Sequence, residues 1–261
     1  MKNNKITNKE FFRAHQQSDT VVIFIHGILE KPKQFRQLAA LSYKEGYSVA
    51  ILLLPGHGGS GEAFIRTHLY KWVDYVNSRI AYYKRRYPHV IIVGHSMGGL
   101  LGLGYCTKWP KHIQRAVIVD MPVWVHLWPR VLVGAIKIAR GSIKPNERYV
   151  LSEYQAIGVR GASFAIYLRW IPRYMDLFTL MGYVNKRLER LSMPILIVQA
   201  KKDEFVHLYS AKRLGKVLKN SQIMYLRDSG HFCYNEDDLY LLEKVFVHFL
   251  RENKHAKTPV N

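Results

Sequence analysis

The 261-residue chain has little that would staple or anchor it. It contains two cysteines, Cys106 and Cys233, and neither sits in a Cys-x-x-Cys or Cys/His spacing. That excludes a disulfide framework and a zinc module, and it suits a reducing compartment. No apolar run is long enough to span a bilayer. The most apolar window, 121–139, is interrupted by Pro122, His126, Pro129, Arg130 and Lys137, whereas a spanning helix needs about 20 nearly unbroken apolar residues. The first twelve residues are polar and lack the apolar stretch of a secretory leader. A soluble, cytoplasmic protein is therefore expected. Acidic residues are also scarce, 19 Asp+Glu against 39 Lys+Arg, for a formal charge of +20. Such an excess raises nucleic acid or an anionic membrane as a partner. The basic residues are dispersed, however, and the longest cluster, Lys84-Arg85-Arg86, ends a helical pattern, where cations meet the negative end of the helix dipole. The charge reads as a solvated basic surface with no nucleic-acid partner.

What is present is a core. At 48% hydrophobic and 13% aromatic the chain can bury one large domain. Short β-branched and aliphatic runs at 21–25, 48–53, 90–93, 115–119, 195–199 and 222–226 are nearly all apolar, as strands buried on both faces should be. Helical patterns at 34–43, 70–86, 98–108, 209–218 and 236–251 fill the gaps, which predicts a mostly parallel sheet flanked by helices. From 121 to 190 no clean β-run occurs. The segment is aromatic (Trp124, Trp128, Phe164, Tyr167, Trp170, Tyr174, Phe178) and punctuated by prolines, as expected of short helices forming a lid. Residues 1–120 and 191–261 are thus assigned to a core domain and 121–190 to a helical cap, with 254–261 a frayed tail.

The strongest chemical signal is Gly94-His95-Ser96-Met97-Gly98-Gly99, a G-x-S-x-G between a strand and a helix. That setting lifts Ser96 above the sheet on a strained turn and aims the N–H of Met97 at an oxyanion. A serine hydroxyl needs a base and an orienting acid. His231, in Asp228-Ser229-Gly230-His231, and Asp203, in Ala200-Lys201-Lys202-Asp203-Glu204, each follow a strand and reach the same sheet edge. Asp120 and Glu204 compete with Asp203 as the acid, and Asp228 is read as bonding its own loop. In His26-Gly27-Ile28-Leu29, Gly27 permits a sharp turn and the Ile28 N–H is the second oxyanion donor, with His26 structural. Pro55-Gly56-His57-Gly58 is a packing loop near the site and lacks the Gly-Lys-Ser/Thr ending of a phosphate cradle. His95 is read as packing, while His57, His68, His126 and His207 are read as surface or loop residues. No metal and no cofactor are expected.

Ser96, Asp203 and His231, together with the His26-Gly27, Pro55-Gly56-His57-Gly58 and Gly94–Gly99 motifs, resemble the α/β-hydrolase superfamily along nearly the whole chain. Within it the elbow and the insertion are similar to bacterial carboxylesterases and monoacylglycerol lipase-like enzymes. The resemblance implies an α/β-hydrolase fold with a helical cap inserted after the sixth strand. It also implies a serine carboxylesterase with a Ser-His-Asp triad. Trp124, Trp128, Trp170, Met175, Phe178 and Met181 of the insertion are read either as the lining of an apolar acyl pocket, which favours short-to-medium acyl esters or monoacylglycerols, or as the cap's own core. Ser96 argues against epoxide hydrolases and haloalkane dehalogenases, which use aspartate there. Thioesterases, carbon–carbon bond hydrolases and a non-catalytic small-molecule-binding member remain alternatives. The partner is a small-molecule ester, and the insertion, with 11 Lys/Arg against 4 Asp/Glu, allows weak contact with an anionic membrane surface. The oligomeric state is left open.

Overall fold

A computed structural model of the chain describes residues 9–126, 128–159 and 168–252. Residues 1–8 and 254–261, with Phe164 and Tyr167 of the insertion, lie outside the described residues. Seven strands, β1 (Phe11–Arg13), β2 (Thr20–Ile25), β3 (Ser48–Ile51), β4 (His89–His95), β5 (Arg115–Val119), β6 (Ile195–Ala200) and β7 (Ser221–Leu226), form one sheet in the order β1-β3-β2-β4-β5-β6-β7. All neighbours are parallel except β1, which runs antiparallel to β3. Six of these strands were expected. The additional β1 has only three residues on the sheet edge, too few for a periodic signal. The chain leaves β2 for β3 on one side and returns to β4 on the other, which makes the carboxyl ends of β2 and β4 the switch point where open α/β sheets bind ligands.

The helices are α1 (Arg36–Lys44), α2 (Gly61–Ile65), α3 (Leu69–Lys84), α4 (Met97–Lys108), α5 (Pro129–Arg140), α6 (Arg148–Ala156), α7 (Ile171–Asn185), α8 (Tyr209–Val217) and α9 (Glu236–Arg251). Alternate strand residues divide the core between two faces. Val21, Ile23 and Ile25 pack with Trp72 and Ile80 of α3, Leu100 and Leu103 of α4 and Val184 of α7. Val22 and Phe24 pack with Leu38 of α1 and with Leu242, Phe246 and Phe249 of α9. In α3 the buried Trp72, Val76, Ile80 and Tyr83 recur every three or four residues, so one face of the helix covers the sheet. No helix among the described residues is long and apolar enough to cross a membrane.

Between β5 and β6 lie α5, α6 and α7. Counted in this sheet, the insertion follows the fifth strand, β5, and not the sixth. It is stitched to the core around the carboxyl edge. Gly158 N–H donates to Leu29 O (2.6 Å), His126 N–H to Phe205 O (2.9 Å) and Arg173 Nη1 to Thr67 O (2.7 Å).

The helix α4 follows β4 with no room to spare: a Cβ on Gly98 would lie 1.9 Å from Ile25 O and 2.7 Å from His26 O. Gly182, in α7, would meet nothing within 4 Å. Gly98→Ala is expected to cost about 3 kcal/mol through forced backbone displacement. Gly182→Ala should be neutral or stabilising by about 0.5–1 kcal/mol. Urea denaturation midpoints of the two variants check both.

Candidate active site

Ser96 joins β4 to α4 at φ 51°, ψ −122°, a backbone state that a non-glycine residue holds only where its surroundings over-determine it. They do so here. Gly94 has no space for a side chain, since a Cβ would lie 2.5 Å from Gly99 N, and Gly98 is pressed on β2 as described. The Ser96 N–H is tied to Val119 O (2.9 Å). Met97 is the first residue of α4, so its N–H has no acceptor within the helix and stands at the positive end of the helix dipole. Among the described residues, two other non-glycine residues have positive φ, Leu29 (63°) and Asp120 (49°). All three sit just beyond the carboxyl ends of β2, β4 and β5, so the backbone strain of the fold is gathered at one edge.

Asp203 follows β6 and is buried. Its Oδ1 accepts from Phe205 N and Val206 N, both at 2.7 Å, and its Oδ2 lies 2.7 Å from His231 Nδ1. Two backbone donors therefore aim the second oxygen at the imidazole, whose Nδ1–H donates, leaving Nε2 with a lone pair. Burial alone would lower the His231 pKa, but Asp203, with smaller contributions from Asp120 and Glu30, raises it to about 9. The competing acids do other work. Glu204 Oε2 accepts from the His231 backbone N–H (2.9 Å), and Oε1 pairs with Arg130 (3.2 Å). Asp120 Oδ1 accepts from Ala200 N (2.7 Å) and Gln199 Nε2 (3.0 Å), and burial plus the neighbouring Asp203 push its carboxyl well above the usual range.

The loop carrying His231 is held by a residue that sequence reasoning missed. Asp238, in the first turn of α9, accepts from Arg227 N (2.9 Å), Asp228 N (2.7 Å) and Ser229 Oγ (2.8 Å). The Asp228 side chain, expected to bond its own loop, instead pairs with Lys202 (2.6 Å).

The loop after β2 is built from histidines and one carboxylate. His26 Nε2 accepts from Leu54 N (3.0 Å) and His57 Nε2 from Leu29 N (3.0 Å), so both rings carry their proton on Nδ1 and give it to Gly27 O (2.9 Å) and Pro55 O (3.1 Å). Burial lowers the pKa of both, that of His57 to about 3, and keeps them neutral. His57 is thus a buried prop of the loop and not a surface residue, though its loop packs beside the site as expected. Gly27 opens a turn, its carbonyl accepting from Glu30 N (3.4 Å), and also serves close approach. A Cβ there would lie 2.3 Å from Glu30 Oε1 and 2.9 Å from Ser96 Cβ, and the positive φ falls on Leu29. This brings the backbone beside Ile28 against the serine. Glu30, also missed, accepts from Gly27 N (2.5 Å) and holds His95 Nδ1 (2.7 Å). It has no motif of its own.

A cavity of about 1150 Å³ opens beside His231; Leu29, Ile138, Val159, Trp170, Tyr174 and Phe232 form its apolar part, and Lys31, Lys33, Gln34, Ser152 and Glu153 line a polar part. Of the insertion residues considered as an acyl-pocket lining, Trp170 and Met181 are buried, whereas Trp124, Trp128, Met175 and Phe178 are exposed. Among the described residues, two donor groups lie within 4.8 Å of one another, Glu30/His95/His231 and Asp120/Asp203/His231. Both are threaded by the Glu30–His95 and Asp203–His231 hydrogen bonds, an arrangement suited to moving protons.

Known proteins bear on this geometry. The alpha/beta hydrolase family profile matches residues 22–241. A thermostable monoacylglycerol lipase of Bacillus sp. strain H-257 is 25% identical over 242 residues, covering 90% of this chain and 91% of that protein. A probable lysophospholipase L2 of Haemophilus influenzae is 21% identical over 272 residues, covering 91% and 85%. Among solved structures, a monoacylglycerol lipase of Paleococcus ferrophilus superposes with a TM-score of 0.65 at 21% identity, covering 92% of this chain and 96% of that one. A metagenome-derived lipolytic enzyme gives 0.70 at 19%, covering 93% and 98%. By the profile match over most of its length, the chain belongs to the α/β hydrolase family.

Proposed function

We propose that the protein is a cytoplasmic serine carboxylesterase that cleaves short-to-medium acyl esters or monoacylglycerols. The observation that carries this reading is the 2.7 Å hydrogen bond from His231 to Asp203 beside a serine held at positive φ. Relatives named as lipases and esterases over nine-tenths of the chain support ester cleavage as the reaction class. Ser96 Oγ attacks the ester carbonyl as His231 Nε2 takes its proton, and the N–H groups of Ile28 and Met97 receive the oxyanion. His231 then protonates the departing alcohol, leaving an acyl-enzyme. Water, deprotonated by His231, attacks it and releases the acid, returning the proton to Ser96. Every step uses groups of this chain.

The 121–190 insertion acts as the cap. The apolar walls of the cavity beside His231 suit an acyl chain. The outer face of the cap supports a further role. Val133 and Ile136 of α5 and Ile171, Met175 and Phe178 of α7 are exposed, and the last three fall on one helix face in a segment rich in Lys and Arg. Such a face suits weak docking on an anionic membrane from which lipid esters are drawn.

Hydrolysis of a p-nitrophenyl ester series from acetyl to palmitoyl should peak at one chain length. Ser96→Ala and His231→Ala should each lose several orders of magnitude in kcat. No Ser96-dependent turnover across the series would overturn the esterase reading. Asp203→Asn should be as severe, while Asp120→Asn retains activity; the reverse ranking would move the acid to Asp120. Because the His231 pKa is raised to about 9 and the base must be neutral, kcat/KM should climb from pH 6.5 toward pH 9 and fall as the pH drops through that range. In flotation assays the protein should rise with anionic vesicles at low salt and separate from them at high salt, and Ile171→Glu/Met175→Glu should reduce flotation.

A further inference from the structure

Beside the Ser96, His231 and Asp203 side chains lies a second histidine–carboxylate pair that the proposed reaction leaves unused. Glu30 and His95 are 1% and 4% exposed, and Glu30 Oε1 lies 2.7 Å from His95 Nδ1. The other oxygen, Oε2, accepts from Gly27 N and from Gln34 Nε2, both at 2.5 Å. One carboxylate thereby joins the residue preceding Ile28 to the residue preceding Ser96. It spans the two backbone segments on which an oxyanion hole depends.

The pair also faces the base. The rings of His95 and His231 have centroids 4.7 Å apart, and Glu30, His95 and His231 bring donor atoms within 4.8 Å of one another. With its Nδ1 proton given to Glu30, His95 presents a lone pair at Nε2, which has no hydrogen-bond partner among the described residues and stands 4.0 Å from Asp120 Oδ2. The groups around His231 are Asp203 and Glu204 from the loop after β6, Glu30 from the loop after β2, His95 and Asp120 from the ends of β4 and β5, Glu153 from α6, and Tyr234 from its own loop. Burial pushes up the carboxyls of Asp120 and Glu153, the latter to about 7. Glu30 goes the other way: burial alone would raise it, but the pairing with His95 and the nearby His231 bring it down to about 2. It stays charged where its neighbours tend to neutrality.

We propose that Glu30, acting through His95 and Gly27, is a positioning residue that locks the loop after β2 to the nucleophile elbow and sets a fixed negative charge beside His231, a role that rests on the serine-hydrolase reading above. Removing the charge while keeping the shape separates the two contributions. In Glu30→Gln the amide oxygen can still accept from Gly27 N–H, but the charge near His231 is gone. The acid limb of the pH profile of kcat/KM should move down by about one pH unit, kcat should fall about tenfold, and KM should stay within about twofold. Glu30→Asp keeps the charge one methylene short. It should restore the acid limb to its wild-type position while kcat remains low. The rate at which a fluorophosphonate labels Ser96, followed against pH, reports the same limb from folded molecules alone, so a destabilised variant still gives a reading. Wild-type kcat and an unmoved acid limb in Glu30→Gln would overturn the proposal. If wild-type turnover does not depend on Ser96, the esterase reading falls first, and the labelling profile alone then decides whether Glu30 governs His231.

Discussion

The rest of the site depends on one contact, the seating of the first turn of α4 directly on the end of β2. Gly98 touches the Ile25 carbonyl so closely that any side chain would clash. A helix at that distance cannot be entered by an ordinary turn, so the connecting residue is driven to φ 51° and its hydroxyl is raised clear of the sheet. The same contact brings the chain leaving β2 beside the serine, where Gly27 must also lack a side chain. The raised serine and the neighbouring loop after β2 are thus two results of one packing contact, and both follow from glycines that make room for a neighbour.

Around that contact the protein buries an unusual density of titratable groups and gives them different fates. Glu30 meets a histidine and two N–H donors and is held ionised. Asp120, a strand away, meets a carboxylate neighbour and is driven toward its neutral form. His26 and His57 meet backbone groups and stay neutral, whereas His231 meets Asp203 and becomes more basic. Environment and not residue type sets the role of each, as expected where a low dielectric magnifies every neighbour.

The sheet, the major core helices and the placement of Ser96, Asp203 and His231 at one edge of the sheet were legible in the sequence because each rests on a local pattern: an apolar run, a three-to-four spacing, or a polar residue just past a strand. What was not legible depends on partners remote in the chain. Glu30 follows an ordinary turn, and its importance comes from His95, 65 residues on. Asp238 lies in the first turn of α9, where an acid suits the helix dipole, yet it serves the backbone ten residues before it. His57 looked like a loop residue until Leu29 was seen to donate to it. Aromatic content led to the expectation of short helices in 121–190, but composition alone could not tell that Trp170 is buried while Trp124 and Phe178 are exposed.

The bond from Gly158 to the Leu29 carbonyl has a mechanical meaning. Leu29 is strained at φ 63°, and its own N–H is spent on His57. The insertion therefore grips the least relaxed residue of the loop that carries Ile28. The position of the insertion is thereby coupled to the shape of that loop. By reciprocity of linked equilibria, any ligand that tightens the loop must also tighten the hold of the insertion on the core by the same free energy.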